Sequence, residues 1–391
     1  MALPPLWKVR RELERVRVKS VRFAGRWIYD PIRKPIYDRT SKWRVQVTPG
    51  EFPLSDRVAV FVIYQPAGVA HSILLTLDHL RRNAYSVLVV SNGPLRPEDR
   101  ATLAANCALL LERPNVGYDF GAYRDGIRQL WSLRHDLSRL VLLNDSTWFP
   151  LRHEDDSLAR MESLNADLAG HIFKTEERKK GLEDHIESHL LMISRTFAAS
   201  ADFRQFWADY RMSDFRQTTI DFGEKGFSQH AIRRGWKVRA LFGREWLVDC
   251  LASLNDDQLA QVLEHTVDHF TDRVRNADTI RQAARDGQPW RQAYIDWAHD
   301  CLSNTNFFVL SGTFIMPAMV YGRLGFAKKG RDVPFYHARK KLLELEQDAL
   351  IPPLDPAVQS EMAETVRTWV PPKDLSTYGR KTPPKPVSAR S

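Results

Sequence analysis

Apolar runs alternate with amphipathic stretches through the first two-thirds of the chain. Arg57-Val58-Ala59-Val60-Phe61-Val62-Ile63-Tyr64 is continuous and β-prone, the pattern of a strand covered on both faces. It stops at Gln65-Pro66-Ala67-Gly68, after which Ile73, Leu74, Leu77 and Leu80 recur at helical spacing over 70–82. Val87-Leu88-Val89-Val90 reads as a second buried strand, ended by Ser91-Asn92-Gly93-Pro94. Pro97 opens a helix to about Asn106, and Ala108-Leu109-Leu110-Leu111 makes a third strand. A helix over about 123–133 leads to a fourth strand at 139–143, with a fifth at 166–173 and a sixth at 189–194. A charged loop is expected between the last two, from Lys174 to Gly181. Phe203, Phe206, Trp207 and Tyr210 share one helical face and read as core. A helix over 224–234 precedes a last strand at 236–242, and 254–303 is helical by composition. Alternation of strand and helix predicts a mostly parallel sheet with right-handed crossovers.

Two stretches carry the chemistry, and one helix joins them. The first is Arg113-Pro114-Asn115-Val116-Gly117-Tyr118-Asp119-Phe120-Gly121-Ala122-Tyr123-Arg124-Asp125-Gly126, a polar, glycine-punctuated loop opening a helix. The second is Leu140-Val141-Leu142-Leu143, ending abruptly in Asn144-Asp145-Ser146. In an open α/β sheet, ligands with phosphates bind at helix N-termini and beyond the carboxyl ends of strands. The pattern therefore points to an enzyme handling an activated, phosphate-bearing donor. Gln65 and Asn92 end the first and second strands and are nucleotide-contact candidates by position.

Together the two stretches, NVGYDFGAYRDG and LLNDSTWFPL, resemble the signature of the rhamnan synthesis protein F family, whose members are regarded as rhamnosyl- or related glycosyltransferases. The layout is also similar to nucleotide-sugar transferases of the GT-A fold. The resemblance spans about Val58 to Phe242, with fainter echoes at Asn304-Thr305-Asn306 and Pro334-Phe335-Tyr336. It implies an α/β, GT-A-like (Rossmann-like) mostly parallel sheet flanked by helices, with a helical C-terminal region. It also implies, through the GT-A pattern, that Asp145 holds a divalent metal (Mn or Mg) or the donor diphosphate, flanked by Asn144 and Ser146 where the GT-A Asp-x-Asp carries a second acid. Asn115, Gly117, Asp119 and Gly121 would form the donor loop, the glycines letting backbone approach a ligand and Asp119 accepting a sugar or ribose hydroxyl. Glu224, after Asp221-Phe222-Gly223, stands where such enzymes present a general base, with Glu187 and Asp221 as competitors.

Each assignment has a plainer counterpart. Asp145 and Asp119 are also good helix-capping or turn residues, and Glu224 is the kind of acid a helix start favours at a surface. The replacement of Asp-x-Asp by Asn144-Asp145-Ser146 keeps open a second class of protein, a non-catalytic polysaccharide-assembly or binding protein on a degenerate transferase fold.

Charge adds one feature. Residues 1–50 hold thirteen Lys and Arg against four Asp and Glu, a net +9 that equals the charge of the whole chain. Trp7, Phe23, Trp27, Ile28, Ile32 and Ile36 are interleaved with those bases. This suits either an anionic membrane surface or a helix packed on the main domain. No recognition motif supports nucleic acid as a partner. Three well-separated cysteines, Cys107, Cys250 and Cys301, offer neither a disulfide framework nor a zinc site. No apolar run is long enough to cross a membrane, and no signal-peptide core is seen at the start.

The reading is a basic arm over 1–50, a GT-A-like core over 51–250, a mostly helical region over 251–351, and a Pro/Lys-rich tail over 352–391 that is disordered after Lys373. The expected protein is a cytoplasmic glycosyltransferase, peripheral on the inner face of the cell membrane. It would move a sugar, by family analogy rhamnose, from a nucleotide-sugar donor to a polysaccharide or lipid-linked acceptor.

Overall fold

A computed structural model describes residues 28–178, 181–267, 271–303 and 309–370. Among the described residues nine strands form one sheet: β1 (Gln46–Pro49), β2 (Arg57–Ile63), β3 (Ser86–Ser91), β4 (Leu109–Glu112), β5 (Arg139–Asn144), β7 (Leu168–Arg178), β8 (Gly181–Ile186), β9 (Leu190–Ser194) and β10 (Val238–Phe242). β6 (Thr147–Trp148) lies in a separate ribbon. The order across the sheet is β1-β4-β3-β2-β5-β9-β7-β10, with β8 paired only to β7. β2, β3, β4 and β5 run parallel, as do β7 and β10, whereas β9 is antiparallel to both its neighbours and β1 is antiparallel to β4. The α/β class expected from the sequence, a mostly parallel sheet flanked by helices with a helical C-terminal region, is what the chain adopts.

The chain builds outward from β2 through β3 to β4, then returns to place β5 on the other side of β2. The crevice beyond the carboxyl ends of β2 and β5 is therefore the point where strand order reverses, the usual ligand position in such sheets. Both strands are buried almost throughout, as Val, Leu and Ile on both faces require.

Helices α1 (Asp30–Arg44), α2 (His71–Arg82), α3 (Pro97–Ala104), α4 (Tyr118–Ser132), α5 (Ser157–Ser163), α6 (Arg195–Ala199), α7 (Ala201–Asp209), α8 (Arg216–Thr219) and α9 (Lys225–Arg233) complete the first unit, which takes in residues up to Ser146 and His153–Gly243. The aromatic face of α7 is core: Phe203 and Trp207 are fully buried, with Phe120, Phe197 and Phe227 packed around them. A second unit comprises Thr147–Arg152 and the chain from Arg244. It holds α10 (Arg244–Ser253), α11 (Asp256–His265), α12 (Thr271–Arg285), α13 (Arg291–Ser303), α14 (Ile315–Val320), α15 (Val333–Gln347) and α16 (Pro356–Arg367). Its ribbon pairs β6 with β11 (Ala327–Lys328).

Two local expectations change, at the β7–β8 hairpin and at the start of α4. The loop awaited from Lys174 to Gly181 is instead a β7–β8 hairpin, paired from Phe173↔Ile186 to Arg178↔Gly181. Pro31 and Pro35 both fall within α1. Pro31 falls in the first turn of α1, where its missing N–H costs nothing, and α1 is tied down beyond Pro35 by Tyr37 and Asp38. Helix α4 begins at Tyr118, so Asp119 and Gly121 are in its first turn and not in a loop before it. In the Pro/Lys-rich stretch, α16 forms because Asp355 caps it through the Ala357 N–H, Pro356 opens it, and Val358 and Met362 are buried. Residues 1–27 of the basic arm, the echo at 304–306 and the tail beyond 370 lie outside the described residues.

Candidate donor site at the strand-order reversal

Asp145 leaves the end of β5 with its own N–H bonded to the Val62 carbonyl of β2 at 3.0 Å. Its Oδ2 accepts the Tyr64 backbone N–H at 2.8 Å and the Gln65 side-chain amide at 2.7 Å. One carboxylate thus joins the ends of the two strands that flank the reversal. Beside it, the Asn144 amide donates to Asp119 Oδ2 at 3.1 Å, while Asn144 Oδ1 takes both the backbone N–H (3.1 Å) and the hydroxyl (2.5 Å) of Ser146. Asp119, in the first turn of α4, is thereby tied to the end of β5, and its carboxyl lies within reach of the Asp145 charge.

The third acid arrives from far along the chain. Ile220–Glu224 forms a π-turn that runs into α9, and a Cβ on Gly223 would lie 2.6 Å from the Phe120 ring. The absent side chain lets the turn press against α4 next to Asp119, which brings Glu224 into the same field. Ser188 donates its hydroxyl to Glu224 Oε2 at 2.7 Å, and His185 Nε2 stands 3.8 Å from Oε1. Burial, reinforced by the negative charges of Asp145 and Glu224, raises the Asp119 carboxyl to about 7, against the opposing pull of Arg113.

Gly117 and Gly121 each meet a local backbone demand. Gly117 caps α4 in the left-handed region (φ 77°), its N–H bonded to Asp214 Oδ1 at 3.1 Å. A Cβ on Gly121 would lie 2.1 Å from the Val116 carbonyl oxygen. The close approach at Gly121 is backbone to backbone, between the first turn of α4 and the loop that leads into it. Asn92 is also structural: fully buried, it accepts from Arg113. Asn115 is exposed at the loop's outer side. Of the competitors for the base, Glu187 is buried and paired with Lys174 at 2.7 Å, while Asp221 accepts from Gln217 at 3.1 Å.

The support beneath the loop escapes a reading of the sequence. Arg113 has no exposed side-chain surface and donates to Asp125 Oδ2 (2.6 Å), Asn92, the Tyr37 hydroxyl (3.2 Å) and the Val116 carbonyl (2.6 Å). Tyr37 donates in turn to Asp125 Oδ2 at 2.5 Å. Arg113 and Asp125 bracket the glycine motif at i and i+12, a signal that was present in the sequence. Tyr37, Asp214, His185 and Ser188 come from distant segments and gave none. Tyr64 follows β2; its backbone N–H bonds to the Asp145 carboxylate, and its side chain is 54% exposed.

Among the described residues, no three His, Cys, Asp or Glu side chains come together to hold a metal ion. At Asp145, the residue expected to hold a metal, Oδ2 already accepts two hydrogen bonds. The residues do not make a metal site by themselves.

Residues 87–269 match the family model described as Rhamnan synthesis protein F, so the resemblance read from the two motifs is shown over that stretch. A curated relative, "Uncharacterized protein y4gN" of Sinorhizobium fredii (strain NBRC 101917 / NGR234), is 26% identical over 357 residues, covering 91% of each chain. Solved structures similar to this chain include the mannosyltransferase PcManGT from Pyrobaculum calidifontis, in complex with GDP-Man and Mn2+ (13% identity, 90% of this chain, 97% of that one, TM-score 0.29). Another is mannose-1-phosphate geranyltransferase from Thermus thermophilus (12% identity, 47% and 73%, TM-score 0.29).

Proposed function

We propose that this chain is a glycosyltransferase that takes a sugar from a nucleotide-sugar donor and passes it to a polysaccharide or lipid-linked acceptor, with rhamnose as the sugar by family analogy. The observation that carries the reading is the meeting of Asp145, Gln65, Asn144 and Asp119 beyond the carboxyl ends of β2 and β5. Polar groups converge there from three elements, at the reversal of strand order, next to the first turn of α4.

In this reading Gln65, Asn144, Ser146 and the loop residue Asn115 meet the donor's polar groups, and the exposed Tyr64 ring stacks on its base. Asp119, raised to about 7, is shared between its neutral and ionised forms near neutral pH and bonds a sugar or ribose hydroxyl in either. Glu224, oriented by the Ser188 hydroxyl, removes the proton of the acceptor hydroxyl. The basic segment within 1–50 holds the enzyme at the inner face of an anionic membrane that presents the acceptor.

A non-catalytic binding protein is the second reading, favoured by one observation: Asp145 is engaged by Tyr64 and Gln65 and, among the described residues, no protein metal cluster surrounds it. Titration with a panel of nucleoside-diphosphate sugars, with and without manganese, separates the two when read by melting temperature and sugar release. A shift with one donor, lost in Asp145→Ala and accompanied by transfer to an acceptor, supports the enzyme. Donor binding without transfer or hydrolysis supports the binding protein, and absence of any shift in folded protein counts against the enzyme.

A further inference from the structure

Helix α1 has two unlike faces. On one, Ile28 and Tyr29 at its mouth and Ile32 and Ile36 within it are 59, 52, 58 and 51% exposed. At helical spacing these four fall within an arc of about 100°. Arg39, also exposed, lies on the same side. On the other face Tyr37 is 2% exposed and Asp30 is fully buried. An apolar stripe of this size on a helix otherwise tied to a folded unit marks a surface that is covered in use.

The inner face of the same helix is wired to the candidate donor loop at several points. Tyr37 donates to Asp125 and accepts from Arg113, whose guanidinium also holds the Val116 carbonyl. Arg33 pairs with Asp214, the acid that accepts the Gly117 N–H at the cap of α4. Asp38 binds Arg124 at 2.7 and 2.9 Å and Arg128 at 2.7 Å, both on α4. The segment from 113 to 121 is thus braced by α1.

The chemistry of the outer face selects its occupant. Residues 1–50 hold thirteen bases against four acids, so a second copy placed on this stripe would bring two strongly positive segments together. An anionic bilayer surface satisfies both features. The isoleucines and the tyrosine enter the boundary between headgroups and acyl chains, and the bases meet lipid phosphates and carboxylates. Among the described residues no helix is long and apolar enough to cross a membrane.

We propose that α1 docks in the plane of an anionic membrane surface through Ile28, Tyr29, Ile32 and Ile36, and that docking steadies the 113–121 loop through Tyr37 and Arg33. The inference builds on the membrane placement and donor loop proposed above, and adds the docking face and its coupling to the site.

The test uses the full chain with vesicles of phosphatidylcholine alone or mixed with phosphatidylserine. Sedimentation should carry the protein down with the mixed vesicles only. Ile32→Glu/Ile36→Glu, which alters exposed positions and should keep the circular dichroism and melting temperature of the parent, should weaken that partitioning by about tenfold or more. Amide exchange over 113–121 should slow on vesicle binding in the parent. In Tyr37→Phe the vesicle binding should persist while the slowing shrinks. Equal binding to neutral vesicles, or undiminished binding of the double variant, overturns the docking face. So does a dimer that the double variant dissolves in the absence of vesicle binding, since a second copy then covers the stripe. Vesicle binding with unchanged exchange over 113–121 overturns the coupling. None of these readouts uses a donor, so failure of the nucleotide-sugar titration is a separate result.

Discussion

Gln65 and Asp145, eighty positions apart, meet side chain to side chain at 2.7 Å and close the gap between the ends of β2 and β5. The carboxylate also takes the Tyr64 N–H, so its orientation is fixed before any ligand arrives. Gln65→Ala should leave the fold intact and free Asp145 to turn. A hydrogen bond to a charged group is worth about 1.5–3 kcal/mol, so donor affinity should fall roughly tenfold to a hundredfold. Calorimetric titration of the variant with the donor identified in the panel measures this, and unchanged affinity would remove Asp145 orientation from the binding account.

Asp119 links the site to pH. Its folded carboxyl titrates at about 7, against an ordinary value of 3.8. Between those values the folded chain keeps a proton that the unfolded chain has released. Stability contributed by this group is therefore fully present below about pH 4 and is lost as pH rises to about 7. Asp119→Asn removes the slope. Melting curves should show the variant gaining over the parent at pH 8 and matching it near the acid end; parallel curves would contradict the raised value.

The buried Arg113–Asp125 pair is a test of the support below the loop. Both side chains are almost without exposed surface, and removing one partner leaves the other charged and unpaired. Arg113→Ala should cost about 3–5 kcal/mol in urea unfolding. Tyr37→Phe, which removes only a hydroxyl shared with that pair, should cost about 1–2 kcal/mol.

Gly121→Ala places a Cβ at 2.1 Å from the Val116 carbonyl oxygen, a backbone atom that cannot swing aside. Overpacking of this kind costs about 1–3 kcal/mol. The variant should lose that much by urea denaturation, and its donor affinity should fall because the first turn of α4 has shifted. A neutral outcome would mean that the loop relaxes freely.

How far the sequence could be read varies with the kind of signal. β2, β3, β4 and β5 were legible because strands buried on both faces must be apolar throughout. The antiparallel direction of β9 was not, since apolar runs carry no direction. The β7–β8 hairpin hid behind its charges, and the start of α4 was placed late because Gly117 and Gly121 suggested loop where one caps and the other packs inside the first turn. In the site, Asp145, Asn144 and Asp119 announced themselves by standing at element ends. Asn92 stood at such an end too, yet it serves Arg113, so position alone does not distinguish a ligand contact from a buried brace. Tyr37, Ser188 and His185 belong to the surroundings only through long-range packing that periodicity does not encode.

The chain leaves the first compact unit after Ser146, spends Thr147–Arg152 in the second, and comes back. Those six residues matter to the unit they visit. Thr147 and Trp148 form the only strand opposite β11 among the described residues, Trp148 is 1% exposed, and its indole N–H bonds to Glu361 at 2.8 Å. A chain trimmed at Gly243 would carry an orphaned tryptophan on its surface, and one beginning at Arg244 would have an unfilled slot. Neither half can be excised by a single cut, so shortened versions for crystallisation, fusion or display need a replacement for 147–152, or must keep both ends of the chain.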